Sequence, residues 1–213
     1  MGNTVGRLQS MFPQYILNVL VGSLLGDGRL ECRSKGIRHP KTARFRVHHG
    51  WKQEEYVNWK YERLQNITLS GPREIIRYNE KRRIKEKSFY FHTRSIDSLG
   101  ILHTLFYRGG DKRLPKKELQ KLLNSEVLAI WFMDDGCRSK KSFVLNTHNF
   151  SKQDEELIKM MLFERFGVET TSVKDRNQTK IRIKSSSSSR FKKIITPYLI
   201  PSMFYKIANP RND

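Results

Sequence analysis

Leu20-Val21-Gly22-Ser23-Leu24-Leu25-Gly26-Asp27-Gly28 and Leu128-Ala129-Ile130-Trp131-Phe132-Met133-Asp134-Asp135-Gly136 are two versions of one segment. Each is apolar almost to its end, closes on Asp-Gly and is followed by basic, strand-like sequence. One Asp-Gly is most simply a hairpin turn. Two at matching places, each ending an apolar helix, read as a repeated site. An acid there sits against the negative end of the helix dipole, beside carbonyls without partners in the helix. Brought together, the two ends make an all-oxygen nest of Asp27, Asp135 and backbone carbonyls, suited to a hard cation such as Mg2+. Gly22 and Gly26, four apart, and Ala129 allow a second helix to approach closely, although small residues also suit a plain core. Asp134 reads as a supporting or turn residue.

The duplication extends outward from the two segments. Lys52-Gln53-Glu54-Glu55 precedes Glu62-Arg63-Leu64, and Lys152-Gln153-Asp154-Glu155-Glu156 precedes Glu164-Arg165-Phe166. Both stretches carry helical apolar spacing, and Ser151 with Asp154 resembles a helix-start capping box. Each half reads helix, two strands, helix, two strands, helix. In the first, helices fall near 14–26, 52–68 and 96–107, with strands near 29–35, 42–49, 73–80 and 86–93. In the second, helices fall near 126–134, 152–166 and 187–197, with strands near 137–141, 142–148, 168–176 and 179–185. The serine tract 185–189 could be a linker by composition, but its alignment with Thr93-Arg94-Ser95 favours a strand end and helix cap. A short helix at 116–124 bridges the halves. The expectation is an α+β chain of two αββαββα halves, 1–110 and 126–213, joined by 111–125.

The charge follows the strands. Lys and Arg number 41 against 21 Asp and Glu, a net charge of +20 that calls for a polyanionic partner. The windows 29–48, 73–87, 138–141 and 174–184 hold 22 of the cations and five acids, so most of the excess lies in about a quarter of the chain. Arg44-Phe45-Arg46-Val47-His48 and Lys180-Ile181-Arg182-Ile183-Lys184 alternate strictly, which puts apolar side chains on one sheet face and cations on the other. A basic sheet face can follow a DNA groove, reaching phosphates and base edges. The residues assigned to it in the first half are Arg29, Arg33, Lys35, Arg38, Arg44, Arg46, His48, Arg73, Arg77 and Lys85, with the hairpin tip Lys81, Arg82 and Arg83. In the second half they are Arg138, Lys140, Asn146, Lys174, Arg176, Lys180, Arg182 and Lys184.

Cys32 and Cys137 are the only cysteines, too few for a four-cysteine zinc site, and they suggest a reducing, intracellular setting. No apolar run is long enough for a transmembrane helix, and the N-terminus lacks the pattern of a secretory signal. No membrane partner is expected.

The two motifs, with Val144-Leu145-Asn146-Thr147 and Pro197-Tyr198-Leu199-Ile200-Pro201, carry a family signature. On these residues the chain resembles the LAGLIDADG homing endonucleases, in the single-chain branch with two motifs, from Gln14 to Lys206. Both motifs lack the signature's earlier acid, and Ile130 stands where glycine is usual; these departures bear on helix packing. The resemblance implies motif helices side by side at a pseudo-twofold axis and two curved antiparallel sheets forming a saddle over double-stranded DNA. It implies that Asp27 and Asp135 bind a divalent metal, with backbone carbonyls near Gly26 and Asp134. Through Lys112-Arg113-Leu114-Pro115 and Tyr205-Lys206-Ile207 it implies roles for Lys112 and Lys206 in ordering water or stabilising phosphorane charge. Water activated at the metal is then the expected nucleophile. Mg2+ is the expected cofactor, with Mn2+ as a substitute and Ca2+ binding without supporting cleavage.

The implied activity is a staggered double-strand break at a long asymmetric site, made by a monomer. The competing reading keeps the fold and changes the activity, giving an RNA maturase that acts on its own intron RNA, or a regulator that binds DNA without cutting it. A histidine-metal nuclease is a weak third, since His148-Asn149 lacks a partner at metal-ligand spacing.

Overall fold

The computed structural model describes residues 3–32, 40–175 and 178–208. The first half runs α1 (Thr4–Met11), α2 (Gln14–Leu25), β1 (Arg29–Glu31), β2 (Arg44–Gly50), α3 (Glu54–Leu64), β3 (Arg73–Asn79), β4 (Ile84–His92) and α4 (Asp97–Phe106). A short hairpin, β5 (Tyr107–Arg108) and β6 (Asp111–Lys112), leads to α5 (Lys116–Leu122). Then come α6 (Ser125–Asp135), β7 (Gly136–Ser139), β8 (Ser142–Leu145), α7 (Lys152–Phe166), β9 (Thr170–Asp175), β10 (Gln178–Ile183) and α8 (Ser188–Ile195). The two four-stranded sheets have the same order, β1-β2-β4-β3 and β7-β8-β10-β9, with antiparallel pairing throughout. This is the expected α+β fold of two equivalent halves.

Residues 16–25 of α2 and 127–134 of α6 are all buried. A helix apolar on every side belongs inside a protein, and here each motif helix covers the other. Glycine makes the approach possible: a Cβ on Gly22 would lie 2.7 Å from the Cβ of Ile130, and one on Gly26 would lie 2.4 Å from the Cβ of Asp134. At the other end of the pair, Asn18 donates to Glu126 Oε2 at 2.7 Å and accepts from Asn124 at 2.9 Å. The sheets close over this centre with Phe45, Val47, Phe89 and Phe91 from the first half and Phe143, Leu145, Ile181 and Ile183 from the second.

Local sequence explains the ends of the outer elements. Ser151 caps α7, its Oγ accepting from Asp154 N at 3.2 Å, and Gly167 ends the helix in the left-handed region at φ 62°. The serine tract is structured, a 3-10 turn (Ser185–Ser187) running into α8. Two elements lie outside the expected pattern. One is α1, capped by the Asn3 side chain. The other is the β5–β6 hairpin, whose turn residues Gly109 and Gly110 have φ of 62° and 94°, the two positive values that a two-residue hairpin turn requires.

Candidate active site

The pseudo-twofold arrangement delivers Asp27 and Asp135 to neighbouring positions. Asp27 follows the glycine that ends α2, and Asp135 is the last residue of α6. In each motif the carbonyl just before the final acid meets a lysine from elsewhere in the chain. Lys112 donates to the Gly26 oxygen at 2.7 Å, and Lys206 donates to the Asp134 oxygen at 2.8 Å. Gly26 and Asp134 are equivalent positions of the two motifs, so the contacts repeat across the axis. The hairpin places Lys112, and Tyr107 ties that hairpin to β1 by accepting from Leu30 N at 3.1 Å. A 3-10 turn (Pro201–Lys206) places Lys206.

Crowding and burial perturb these groups. Burial, then the charges of Asp27 and Asp134, push the Asp135 carboxyl up to about 7. Asp27 is raised by burial and by Asp134. Burial lowers the Lys112 ammonium to about 8 against the pull of Asp135, Asp134 and Asp27, and it lowers Lys206 too. Acids that resist ionisation beside one another are what a site short of positive charge looks like.

The Asp134 side chain has a partner that its place in the sequence does not announce. It is fully buried and ion-pairs with an equally buried lysine, Lys60 of α3, at 2.6 Å. Lys60 Nζ also lies 3.3 Å from His49 Nε2 and 4.4 Å from the centre of the Tyr56 ring. His49 Nδ1 is 3.8 Å from Asp27 Oδ2. Burial and then Lys60 lower the His49 imidazole to about 3, so it is neutral. Its burial and the Asp134 charge hold the Tyr56 hydroxyl well above its ordinary range. Lys60 was legible in principle: Tyr56, Val57, Lys60 and Leu64 form the buried stripe of α3, and a lysine on an apolar stripe calls for a buried partner.

Register settles which side chains share the basic faces. In the first half, Arg29 pairs with Arg46, Glu31 with Arg44, Arg46 with His92, His48 with Tyr90, Arg73 with Tyr90 and Arg77 with Glu86. Paired residues share a face, so the expected Arg29, Arg44, Arg46, His48, Arg73 and Arg77 stand together, joined by Tyr90 and His92. Glu31 holds Arg44 at 2.9 Å and Arg46 at 3.4 Å. A cleft of about 370 Å³ lined by Arg29, Arg46, His48, His49, Gln53 and Asp27 links this face to the acid. In the second half, Arg182 pairs with Val144 and Val144 with Cys137, so Lys180, Arg182, Lys184 and Asn146 share the equivalent face. Lys81, Arg82, Arg83 and Lys140 occupy hairpin turns, with Arg83 and Lys140 at positive φ.

Three expected contacts fall on the other side. Gly136 is buried against Phe132, so alternation turns Arg138 inward as well; its guanidinium covers the Phe143 ring at 5.5 Å and donates to the Ile207 oxygen at 3.0 Å. Lys174 pairs with Thr179, whose hydroxyl donates to Glu155 of α7, which places Lys174 on the helix side. Lys85 pairs with Tyr78, one step out of phase with Arg77 and Glu86. Arg33, Lys35, Arg38 and Arg176 lie outside the described residues.

A profile of the LAGLIDADG DNA endonuclease family matches residues 17–191. The chain belongs to that family. It is 30% identical over 221 residues to the cytochrome b mRNA maturase bI2 of Saccharomyces cerevisiae, covering 98% of this chain and 50% of the maturase. It thus spans about half the length of that relative. It is 29% identical over 209 residues to the DNA endonuclease I-ChuI of Chlamydomonas applanata, covering 90% of this chain and 94% of the endonuclease. Its fold is similar to that of the homing endonuclease I-WcaI bound to its DNA recognition sequence, with a TM-score of 0.84 at 21% identity over 98% of this chain and 94% of the other. Among the described residues, no helix is long and apolar enough to cross a membrane.

Proposed function

We propose that the chain is a site-specific endonuclease that cuts both strands of a long asymmetric DNA site in a divalent-metal-dependent reaction, leaving staggered ends. The observation that carries this reading is that Asp27 and Asp135 end the two paired motif helices close enough to perturb each other, each beside a carbonyl held by a lysine. The unlike side chains of the two faces suit an asymmetric target. The halves are taken as 1–110 and 126–213, joined by 111–125, acting as a monomer.

The donor set fits a hard cation. Two carboxylates and the Gly26 and Asp134 carbonyls are all oxygen, and DNA phosphates with water would complete the six or so ligands that Mg2+ requires. Among the described residues no group of three His, Cys, Asp or Glu side chains is placed to hold a metal ion by itself. A bound cation would polarise the scissile phosphate and stabilise the leaving oxygen. The protein's own groups do the rest. The basic faces bind the backbone, and His48, Tyr90 and His92 offer base-reading groups among the arginines. Lys112 and Lys206 keep positive charge beside the carbonyls and the position of the reacting phosphate.

A randomised duplex library incubated with Mg2+, and separately with Ca2+, tests the proposal. Recurrent cuts at one long site with Mg2+ alone are expected, and binding without cuts in either metal would overturn it. The likeness to the bI2 maturase across almost the whole chain supports a second activity, assistance of intron splicing. Stimulated splicing of its own intron RNA would reveal it.

A further inference from the structure

The two centres differ in what supports them. Asp134 and Gly26 are equivalent positions, yet one carries a carboxylate and the other no side chain. The missing Cβ of Gly26 leaves the space into which Asp134 leans. Asp134 thereby crosses from the second motif helix to the first half and meets Lys60. Lys60 touches His49, and His49 faces Asp27. A chain of side chains thus runs Asp134, Lys60, His49, Asp27, from the neighbour of one candidate catalytic acid to the other.

Donor inventory fixes the middle of this chain. A lysine ammonium donates and never accepts, so His49 Nε2 at 3.3 Å must accept. The single ring proton of a neutral imidazole is then on Nδ1, which lies 3.8 Å from Asp27 Oδ2, while the Gln53 side chain is the ring's other hydrogen-bond partner. Lys60 therefore sets which nitrogen of His49 carries the proton on the side of the ring nearest Asp27.

Among the described residues, the second half shows no such chain. Arg29 and Cys137 each stand two places after the motif acid; Arg29 pairs with Arg46, and Cys137 with Val144. Counting three on from each partner makes Thr147 the counterpart of His49. Thr147 is buried, and its hydroxyl donates to the Thr179 oxygen. The buried face of α7, which corresponds to Lys60's, carries Glu155, Ile158, Met161 and Leu162; its one charged group, Glu155, accepts from Thr179 and has no lysine beside it among the described residues. A buried ion pair is a poor source of net stability, because desolvation offsets the attraction. A strict geometric link is a better account of one placed between the halves and next to a catalytic acid.

We infer that Lys60 is a positioning residue mainly for the Asp27 centre, acting through Asp134 and His49, so that the two strand cuts depend on it unequally. This rests on the nuclease reading above. The full chain would be tested as Lys60→Met, and as Lys60→Met with Asp134→Asn in case the single change leaves an unpaired buried acid that prevents folding. The duplex recovered from the library would carry a different label on each strand, and each cut would be followed in single turnover. The expected result is near-unchanged DNA affinity with the ratio of the two strand rates altered by about tenfold or more, and nicked duplex accumulating. Equal slowing of both strands, or an unchanged ratio, would overturn the inference. Imidazole nitrogen NMR gives a second readout: Lys60→Met should move the His49 resonances away from a pure Nδ1-protonated form, and an unmoved spectrum counts against the inference. If the wild-type chain cuts nothing, the nuclease reading fails, and the His49 spectrum still decides whether Lys60 orients the ring.

Discussion

Lys112 donates its Nζ to the Gly26 carbonyl oxygen at 2.7 Å, so a two-residue strand 86 positions downstream caps the end of the first motif helix. Lys112→Met removes that donor and its charge from the centre without touching the basic faces. Cleavage is expected to fall by about 10²-fold or more, with the dissociation constant for target DNA changed by less than about threefold, as judged by single-turnover assay and fluorescence anisotropy. Lys206→Met, its pseudo-symmetric counterpart on Asp134, should behave alike. A loss of affinity matching the loss of rate would place both lysines in binding instead.

The pH dependence follows from Asp135. With its carboxyl at about 7, a cation must displace a proton on entering, so Mn2+ affinity should fall about tenfold per pH unit below that value. The sign for stability is the reverse of a surface carboxylate. The folded carboxyl holds its proton more tightly than the unfolded chain, whose ordinary value is 3.8. Its contribution is therefore complete below that value and is lost as pH rises to about 7. The metal-free melting temperature should decline across that window and recover with Mn2+ at the alkaline end. Asp135→Asn should flatten both curves; a variant that keeps the wild-type slope would remove Asp135 as their source.

Close approach of the motif helices makes Gly22 a sensitive position. An added Cβ would meet Ile130 Cβ at 2.7 Å and the Val127 oxygen at 2.8 Å, neither of which can swing away. Gly22→Ala should cost about 1–3 kcal/mol of stability, visible as a lower urea midpoint. Gly50, with nothing within 4 Å of its Cβ position, serves as the control, and Gly50→Ala should leave the midpoint nearly unchanged.

The sheet faces can be told apart by salt. Arg182→Ala removes a cation from the basic face, and the slope of log affinity against log salt should shrink by about one. Lys174→Ala, on the helix side of the same sheet, should leave the slope alone. Equal effects would mean that DNA contacts both sides of the sheet.

Much of this was legible because periodicity reports faces. The apolar runs before Asp27 and Asp135 mark the buried helices, and the alternation around Phe45 and Ile181 marks the inner and outer faces of β2 and β10. The observed faces differ from the expected ones where alternation is not followed to its anchor: buried Gly136 sets the phase that turns Arg138 inward. The hairpin carrying Lys112 has its signal in Gly109-Gly110, a turn flanked by strands too short to show a period of their own. The partnership of Lys60, Asp134 and His49 joins residues 74 and 11 positions apart. No local pattern specifies it, although a lysine and an aspartate each buried in an apolar stripe hint that they need each other.

The unequal pair Gly26 and Asp134 also limits how such a protein can be rebuilt. Two copies of the first half would bring two lysines equivalent to Lys60 to the seam with no acid between them. Two copies of the second would set two carboxylates against each other where the glycine now leaves room. At this contact each half is complementary to the other and not to itself, so the seam works as a mating code. A chimera that borrows one half from a related protein must carry Gly26, His49 and Lys60 together, or Asp134 with a receptive glycine opposite.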